Sequence, residues 1–97
     1  MTRDSKFINN ESEHQYEFHV EGYVAKIEYL KSANGEIYLT HTGVPAELGG
    51  KGIGSQLVEK VLNDIEQQGL HVIPRCPFVS DYIQKHPEWE RIVLKNS

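Results

Sequence analysis

The sequence predicts an α+β fold, and three observations carry the prediction. Residues 15–44 alternate apolar and polar side chains in three runs, residues 53–65 repeat apolar side chains every four positions, and a glycine-rich stretch separates the two patterns. A period of two marks half-buried strands, and a period near 3.6 marks an amphipathic helix.

Each element follows from its own pattern. Gln15 to Val20 sets Tyr16, Phe18 and Val20 on one face, which predicts a strand. Tyr23 to Leu30 alternates again, with Tyr23, Ala25, Ile27 and Tyr29 together. Ser32-Ala33-Asn34-Gly35 is a turn signal that joins this run to the next in a hairpin. Glu36 to Val44 is the third long strand, with faces Ile37/Leu39/His41/Gly43 and Tyr38/Thr40/Thr42/Val44. The period then changes. Ile53, Leu57, Val61 and Ile65, flanked by Val58 and Leu62, form the apolar stripe of a helix of about four turns. Gln67-Gln68-Gly69 ends it, with Gly69 as a left-handed cap. Leu70 to Pro74 is short and apolar and predicts a buried strand. Cys76-Pro77 starts another helix, because proline suits the first helical position. Phe78, Tyr82 and Lys85 share one face of it, Val79 and Ile83 another, and Pro87 stops it. Glu88 to Val93 reads as a short final helix with Trp89 and Ile92 inward. A strand–helix–strand unit crosses over right-handed and sets its two strands parallel. The expected sheet is therefore mostly antiparallel, with a glycine loop–helix–strand–helix unit packed on it.

Length and composition set the bounds. Ninety-seven residues predict one domain over 1–97, with its core at about 15–93. Ten basic and 14 acidic side chains give a net charge of −4, which argues against a general nucleic-acid binder. No apolar run approaches the roughly 20 residues of a membrane span. The N-terminal Met1-Thr2-Arg3-Asp4-Ser5-Lys6 lacks the apolar centre of a signal peptide, and Cys76, the single cysteine, has no partner for an internal disulfide. A reducing, cytoplasmic setting is expected. The acidic Asn9-Asn10-Glu11-Ser12-Glu13 reads as a solvated turn, or as an attraction for a cationic substrate. No histidine spacing or cysteine pair suggests a metal site.

The stretch Leu48-Gly49-Gly50-Lys51-Gly52-Ile53-Gly54-Ser55 carries most of the chemistry. Glycines let the backbone turn its N–H groups outward at the positive end of a helix dipole, which makes a site for an anion, most often a phosphate. Lys51 adds a mobile positive charge. A P-loop would need lysine directly after the last glycine, where Ser55-Gln56 stand, and a dinucleotide G-x-G-x-x-G would need glycine at Ser55. A tight strand–helix connection without a ligand is the alternative.

Val44 to Gly54 is similar to motif A of the GNAT acyltransferase superfamily, Q/R-x-x-G-x-G/A. Gly52 and Gly54 match its small positions. The Q/R position falls on Gly49, a departure that removes the usual side chain there. Gly69-Leu70, Val72 to Val79, Tyr82-Ile83 and His86-Pro87-Glu88-Trp89 extend the resemblance to the compact, single-domain GNAT proteins, over roughly Tyr23 to Val93. The resemblance implies a minimal GNAT-like fold and acetyl-coenzyme A as co-substrate. Its diphosphate would lie on the amides of Gly49, Gly50, Lys51, Gly52, Ile53, Gly54 and Ser55. The preceding strand would align the pantetheine arm through the main chain of Thr42 and Val44.

The resemblance also orders the reactive residues. Cys76 at a helix start sits where the dipole favours thiolate, so its sulfur either relays the acetyl group or simply packs. Histidine is the usual general base, so His41 is either that base or a strand histidine bonded to a neighbour. In many GNAT enzymes a tyrosine at the position of Tyr82 protonates the leaving thiolate; here Tyr82 is that acid or a core aromatic. Phe78 and Lys85 share its face, as a pantetheine lining and a phosphate contact. The expected activity is acetyl-coenzyme A-dependent N-acetyl transfer to a primary amine, on a small molecule or a protein lysine, directly or by way of Cys76. The alternatives are a non-catalytic coenzyme A-binding sensor or interaction module, and a nucleotide-binding domain outside the family. A monomer and a homodimer are both compatible with the chain.

Overall fold

In a computed structural model, which describes residues 5–94, the alternating runs become five strands: β1 (Lys6–Asn10), β2 (Gln15–Val20), β3 (Tyr23–Lys31), β4 (Glu36–Gly43) and β5 (His71–Pro74). They lie in sequence order, antiparallel except for the parallel β4–β5 pair. Two helices, α1 (Ile53–Gln67) and α2 (Pro77–Lys85), follow β4 and β5. Three short 3-10 turns sit at Glu11–Glu13, Ala46–Leu48 and Pro87–Ile92.

One apolar cluster joins sheet and helices. Tyr16, Phe18, Val20, Ala25, Ile27 and Tyr29 turn the same way and meet Leu57, Val58, Val61, Leu62 and Ile65 of α1. The pairing Tyr16↔Ile27 and Phe18↔Ala25 keeps these side chains in one layer. Tyr23 has the right parity but is exposed, because it opens β3 at the hairpin, where Glu21 and Gly22 both take positive φ. Val79 and Ile83 anchor α2, and Trp89 and Ile92 close the far edge as expected, in a 3-10 rather than an α conformation. The opposite sheet face, with Gln15, Glu17, His19, Lys26 and Glu28, carries polar side chains.

Three readings need correction. β1 was not expected, because Phe7-Ile8-Asn9-Asn10 shows no alternation; it pairs with β2 from Gln15 to His19. The segment read as a solvated turn divides between the end of β1 and a 3-10 turn capped by Asn10, whose Oδ1 accepts from the N–H of Glu13 at 3.3 Å. Residues 1–4, most of the stretch used for the signal-peptide reading, lie outside the described residues.

The third correction bears on the site. Tyr29 pairs with Leu39 but Glu28 pairs with His41, so Thr40 is an extra residue in β4. A bulge of this kind flips every later side chain to the other face. Ile37 and Leu39 point into the core as predicted. His41, predicted to join them, instead stands opposite Glu28 on the far face, and Thr42 opposite Ile27 turns inward. Thr40 donates through Oγ1 to the carbonyl of Glu28 at 3.2 Å. The strand ends at Gly43, one residue short of the expected Val44.

Candidate functional site

The site grows from the point where β5 leaves β4. The parallel pairing runs only from Glu36↔His71 to Leu39↔Pro74. There the carbonyl of Leu39 accepts from the N–H groups of Arg75 (3.0 Å) and Cys76 (2.9 Å), and the chain turns into α2. From Thr40 to Gly43, β4 pairs with β3 alone among the described residues. Cys76 is the N-cap of α2, with Pro77 at the first helical position. Its thiol is buried, 5% exposed, and Sγ lies 3.1 Å from Oγ1 of Thr42. The bulge at Thr40 is what brings this pair together.

Next along the chain is the glycine loop. In the 3-10 turn the N–H groups of Leu48 and Gly49 donate to the carbonyls of Pro45 and Ala46, both at 2.9 Å. Gly49 has an ordinary φ of −64°, and its amide is occupied by the turn. Gly50 and Gly52 have φ of +77° and +72°, where a side chain is strained. A Cβ at either would meet nothing within 4 Å, so conformation and not crowding demands glycine, and the loop's outer side is open. The first helical bond of α1 is Gln56 N–H to Gly52 C=O at 3.1 Å. Among the described residues no backbone carbonyl accepts from the N–H groups of Gly50 to Ser55. No side chain caps α1, and its first turn holds no acidic residue. The positive end of its dipole is left uncompensated.

These amides border a hollow of about 240 Å³ lined by Val44, Leu48, the loop glycines, Ile53, Ser55 and Phe78. Ile53 itself packs in the core. Gly54 supports the Phe78 ring so closely that a Cβ there would lie 2.5 Å from Cζ. Lys51 is held by Glu21 on the β2–β3 turn, Nζ to Oε1 at 2.9 Å, with both side chains half exposed.

A second hollow of about 240 Å³ adjoins the first and shares Ser55 and Phe78 with it. Asp81, Tyr82, Lys85 and His86 complete its wall. The Tyr82 and His86 rings are 4.2 Å apart, and partial burial, then Glu59 and Glu88, raise the Tyr82 hydroxyl above the usual tyrosine range. The structure thus joins Thr42 to Cys76, and Gly54 and Ser55 to Phe78. It does not gather the three expected chemical residues into one cluster: Cys76 is on the core side of β4, His41 on the far face, and Tyr82 with His86 and Lys85 on the outer side of α2.

Three residues escaped the reading of the sequence. Glu21 and Asp81 carry no local signal, since each meets the site through tertiary contact. His86 entered that reading only within His86-Pro87-Glu88-Trp89, with no role at the site.

Residues 15–92 match the family model described as GCN5-related N-acetyl-transferase. The chain belongs to this family. The GCN5-related fold extends beyond the matched segment. The solution structure of a GCN5-like candidate N-acetyltransferase from Staphylococcus aureus superposes with a TM-score of 0.72 at 26% identity, over 95% of this chain and 90% of that one. The five-stranded mixed sheet with its helices is the fold of this GCN5-related acetyltransferase domain. Among the described residues no helix is long and apolar enough to cross a membrane, and no cluster of three or more His, Cys, Asp or Glu could hold a metal ion.

Proposed function

We propose that this N-acetyltransferase uses acetyl-coenzyme A and delivers the acetyl group to a primary amine by way of Cys76. The observation that carries the reading is the run of unpaired amides from Gly50 to Ser55, placed beside the free end of β4 and the Thr42–Cys76 pair. The loop fits the co-substrate: residues that carry the free amides line an open hollow, glycine keeps side chains out of it, and the helix dipole favours a diphosphate there. Lys51 adds charge at the rim once it leaves Glu21. Thr42 and Val44 align the pantetheine arm along the edge of β4 that β5 leaves bare.

Acetyl-coenzyme A supplies an activated thioester. Cys76, the N-cap of α2, takes the acetyl group on its sulfur as the carrier's carbon–sulfur bond breaks. The cysteine proton leaves with the released thiol. The amine then displaces the cysteine sulfur, forming the amide bond, and its proton restores the thiol. His41, next to Thr42 but on the opposite face of β4 from Cys76, takes no part in this step. Tyr82 belongs to the wall of the second hollow. The acceptor is a small-molecule amine or a protein lysine, and the chain acts in the cytoplasm as a monomer or homodimer.

Intact-mass spectrometry after incubation with acetyl-coenzyme A tests the route, with acetylation of amines measured in parallel. One added acetyl group that maps to Cys76, and loss of amine acetylation in Cys76→Ala, are the expected results. Amine acetylation without the adduct would replace the relay by direct transfer. Binding without transfer to any amine would leave a coenzyme A-binding sensor or interaction module, a reading that the 5% exposure of Cys76 favours.

A further inference from the structure

We infer that Lys26 is a site of self-acetylation, its amine taking the acetyl group from a thioester held along the bare end of β4 in the same molecule. The inference rests on the acetyl-coenzyme A reading and adds to it an acceptor that belongs to the chain. It needs no relay through Cys76, which lies on the other face of the sheet.

The first observation is position. Lys26 stands opposite Gly43, the last residue of β4, in the β3–β4 ladder. A Cβ built on Gly43 would lie 3.8 Å from both Cγ and Cε of Lys26 and 3.9 Å from Nε2 of His41. Because glycine has no side chain, the lysine stem lies down across the end of the strand. From Thr40 to Gly43 that strand pairs with β3 alone among the described residues. Its other edge is free, and a free edge is reached from both faces of a sheet. The Cys76 thiol stands beside it on the core side, and the Lys26 amine on the open side.

The second observation is that no other described lysine is so placed. Lys6 is on β1, at the opposite edge of the sheet, and Lys31 is at the far end of β3, opposite Ile37. Lys60 lies over the Phe18 ring, Lys51 is held by Glu21, and Lys85 is on the outer side of α2.

The third is how loosely the amine is held. Nζ of Lys26 pairs with Oε2 of Glu28 at 3.1 Å, and solvent reaches both side chains, 39% and 41% exposed. Glu17, opposite Lys26 on β2, is turned instead to Asn10, Gln15 and His19. A single exposed pair of this kind is weak, so the amine is free to leave it.

The step balances with the thioester as the only co-reactant. The ammonium gives one proton to water, and its nitrogen attacks the thioester carbonyl carbon. The carbon–nitrogen bond forms as the carbon–sulfur bond breaks, and the second proton leaves with the sulfur as thiol. Holding both groups on one strand end makes the reaction unimolecular. The product is neutral, so it also releases Glu28.

Peptide mass mapping during incubation with acetyl-coenzyme A tests this, with coenzyme A affinity measured by calorimetry on the same chain. Lys26 should gain one acetyl group at least about tenfold faster than Lys6, Lys31 and Lys60. The labelled fraction should not change when the protein is diluted about tenfold, and excess coenzyme A should suppress labelling at Lys26 alone. Acetic anhydride, which needs no site, should label Lys26 no faster than Lys31. Lys26 labelled at the pace of the other lysines, by a chain that binds coenzyme A, would overturn the inference and leave this side chain as a cover for Gly43. So would labelling that slows on dilution, which is transfer between molecules, or an equal preference for Lys26 with acetic anhydride, which is intrinsic reactivity. Failure to bind coenzyme A would sink the co-substrate reading and this inference with it.

Discussion

At its C-terminus α1 closes on its own chain. The N–H groups of Gln68, Gly69 and Leu70 donate to the carbonyls of Asp64, Glu66 and Ile65, and Gly69 takes the left-handed conformation at φ +73° that this closure requires. Below it, the buried Tyr16 hydroxyl donates to Asp64 at 2.8 Å. At the N-terminus another left-handed glycine, Gly52 at φ +72°, stands in the mirror position, yet among the described residues no side chain caps the helix and no backbone carbonyl takes up the amides of its first turn. Two glycines of almost equal backbone geometry therefore do different work. Gly69 satisfies polar groups within the fold, whereas Gly52 exposes them. The difference teaches that an uncapped helix end in a well-closed molecule is a property of the site and not a flaw of the fold.

The largest expected effect tests that contrast directly. Gly52→Ala and Gly69→Ala each force a Cβ into positive φ and should each cost about 1 kcal/mol of stability. Only Gly52→Ala, whose methyl group stands on the open side of the loop, should also weaken coenzyme A, by tenfold or more on the scale of P-loop-like amide contacts. Chemical denaturation and calorimetry on the two variants read both quantities. Comparable binding loss in both variants, or none in either, breaks the comparison.

How much of this contrast the sequence discloses differs along the chain. Gly69 was legible because a helix stripe ends just before it. That the loop leaves its amides without backbone acceptors among the described residues was legible from its glycine content. The face of His41 was not, because alternation assumes an unbroken ladder, and the bulge at Thr40 is fixed by pairing with Glu28 and Tyr29 some ten residues away. A run of three polar residues, Thr40-His41-Thr42, was the available hint that alternation had stopped meaning anything there. β1 escaped for a related reason: Phe7 stacks on Tyr16 at 5.6 Å, a contact that no local pattern encodes. The Thr42–Cys76 pair, 34 positions apart in the chain, needed the bulge and the departure of β5 together.

A smaller effect belongs to the closed end alone. Burial first, then the Asp64 carboxylate, push the Tyr16 hydroxyl far above the usual tyrosine range, so it remains a donor at any working pH. Tyr16→Phe should cost about 1 kcal/mol, because Asp64 keeps its bond from Gln68, and should leave coenzyme A affinity unchanged. A change in affinity would mean that the two ends of α1 are coupled.

Glu17, on the open sheet face and away from both ends, supplies a pH-dependent control. Its carboxylate accepts from Gln15 (2.6 Å), His19 (2.8 Å) and Asn10 (2.9 Å), and these bonds, Gln15 foremost, hold it below the usual carboxylate range. A carboxylate lowered in the folded state stabilises the protein above its unfolded pKa of about 4.3, and that stability is lost as pH falls through the folded value. Glu17→Gln should therefore be less stable than wild type by about 1 kcal/mol at neutral pH, with the two converging in strong acid. Urea midpoints at several pH values check the sign, and a gap that widens toward acid would reverse the assignment.

The smallest effect concerns the strap across the open end. Glu21, itself at a strained φ of +54°, holds Lys51 in a half-exposed pair. Such a pair stabilises the fold by less than about 1 kcal/mol. Its consequence lies in binding, because the same ammonium group serves either the carboxylate or a diphosphate. Lys51→Ala should weaken coenzyme A by about threefold, and Glu21→Gln should strengthen it by up to about twofold, on the scale of single screened charges. Both shifts should shrink at high salt, while the loss in Gly52→Ala, which comes from amide geometry, should persist. Shifts of the same sign in the two charge variants would mean that Lys51 and Glu21 act together as a structural clasp, and that the open end is held open by backbone alone.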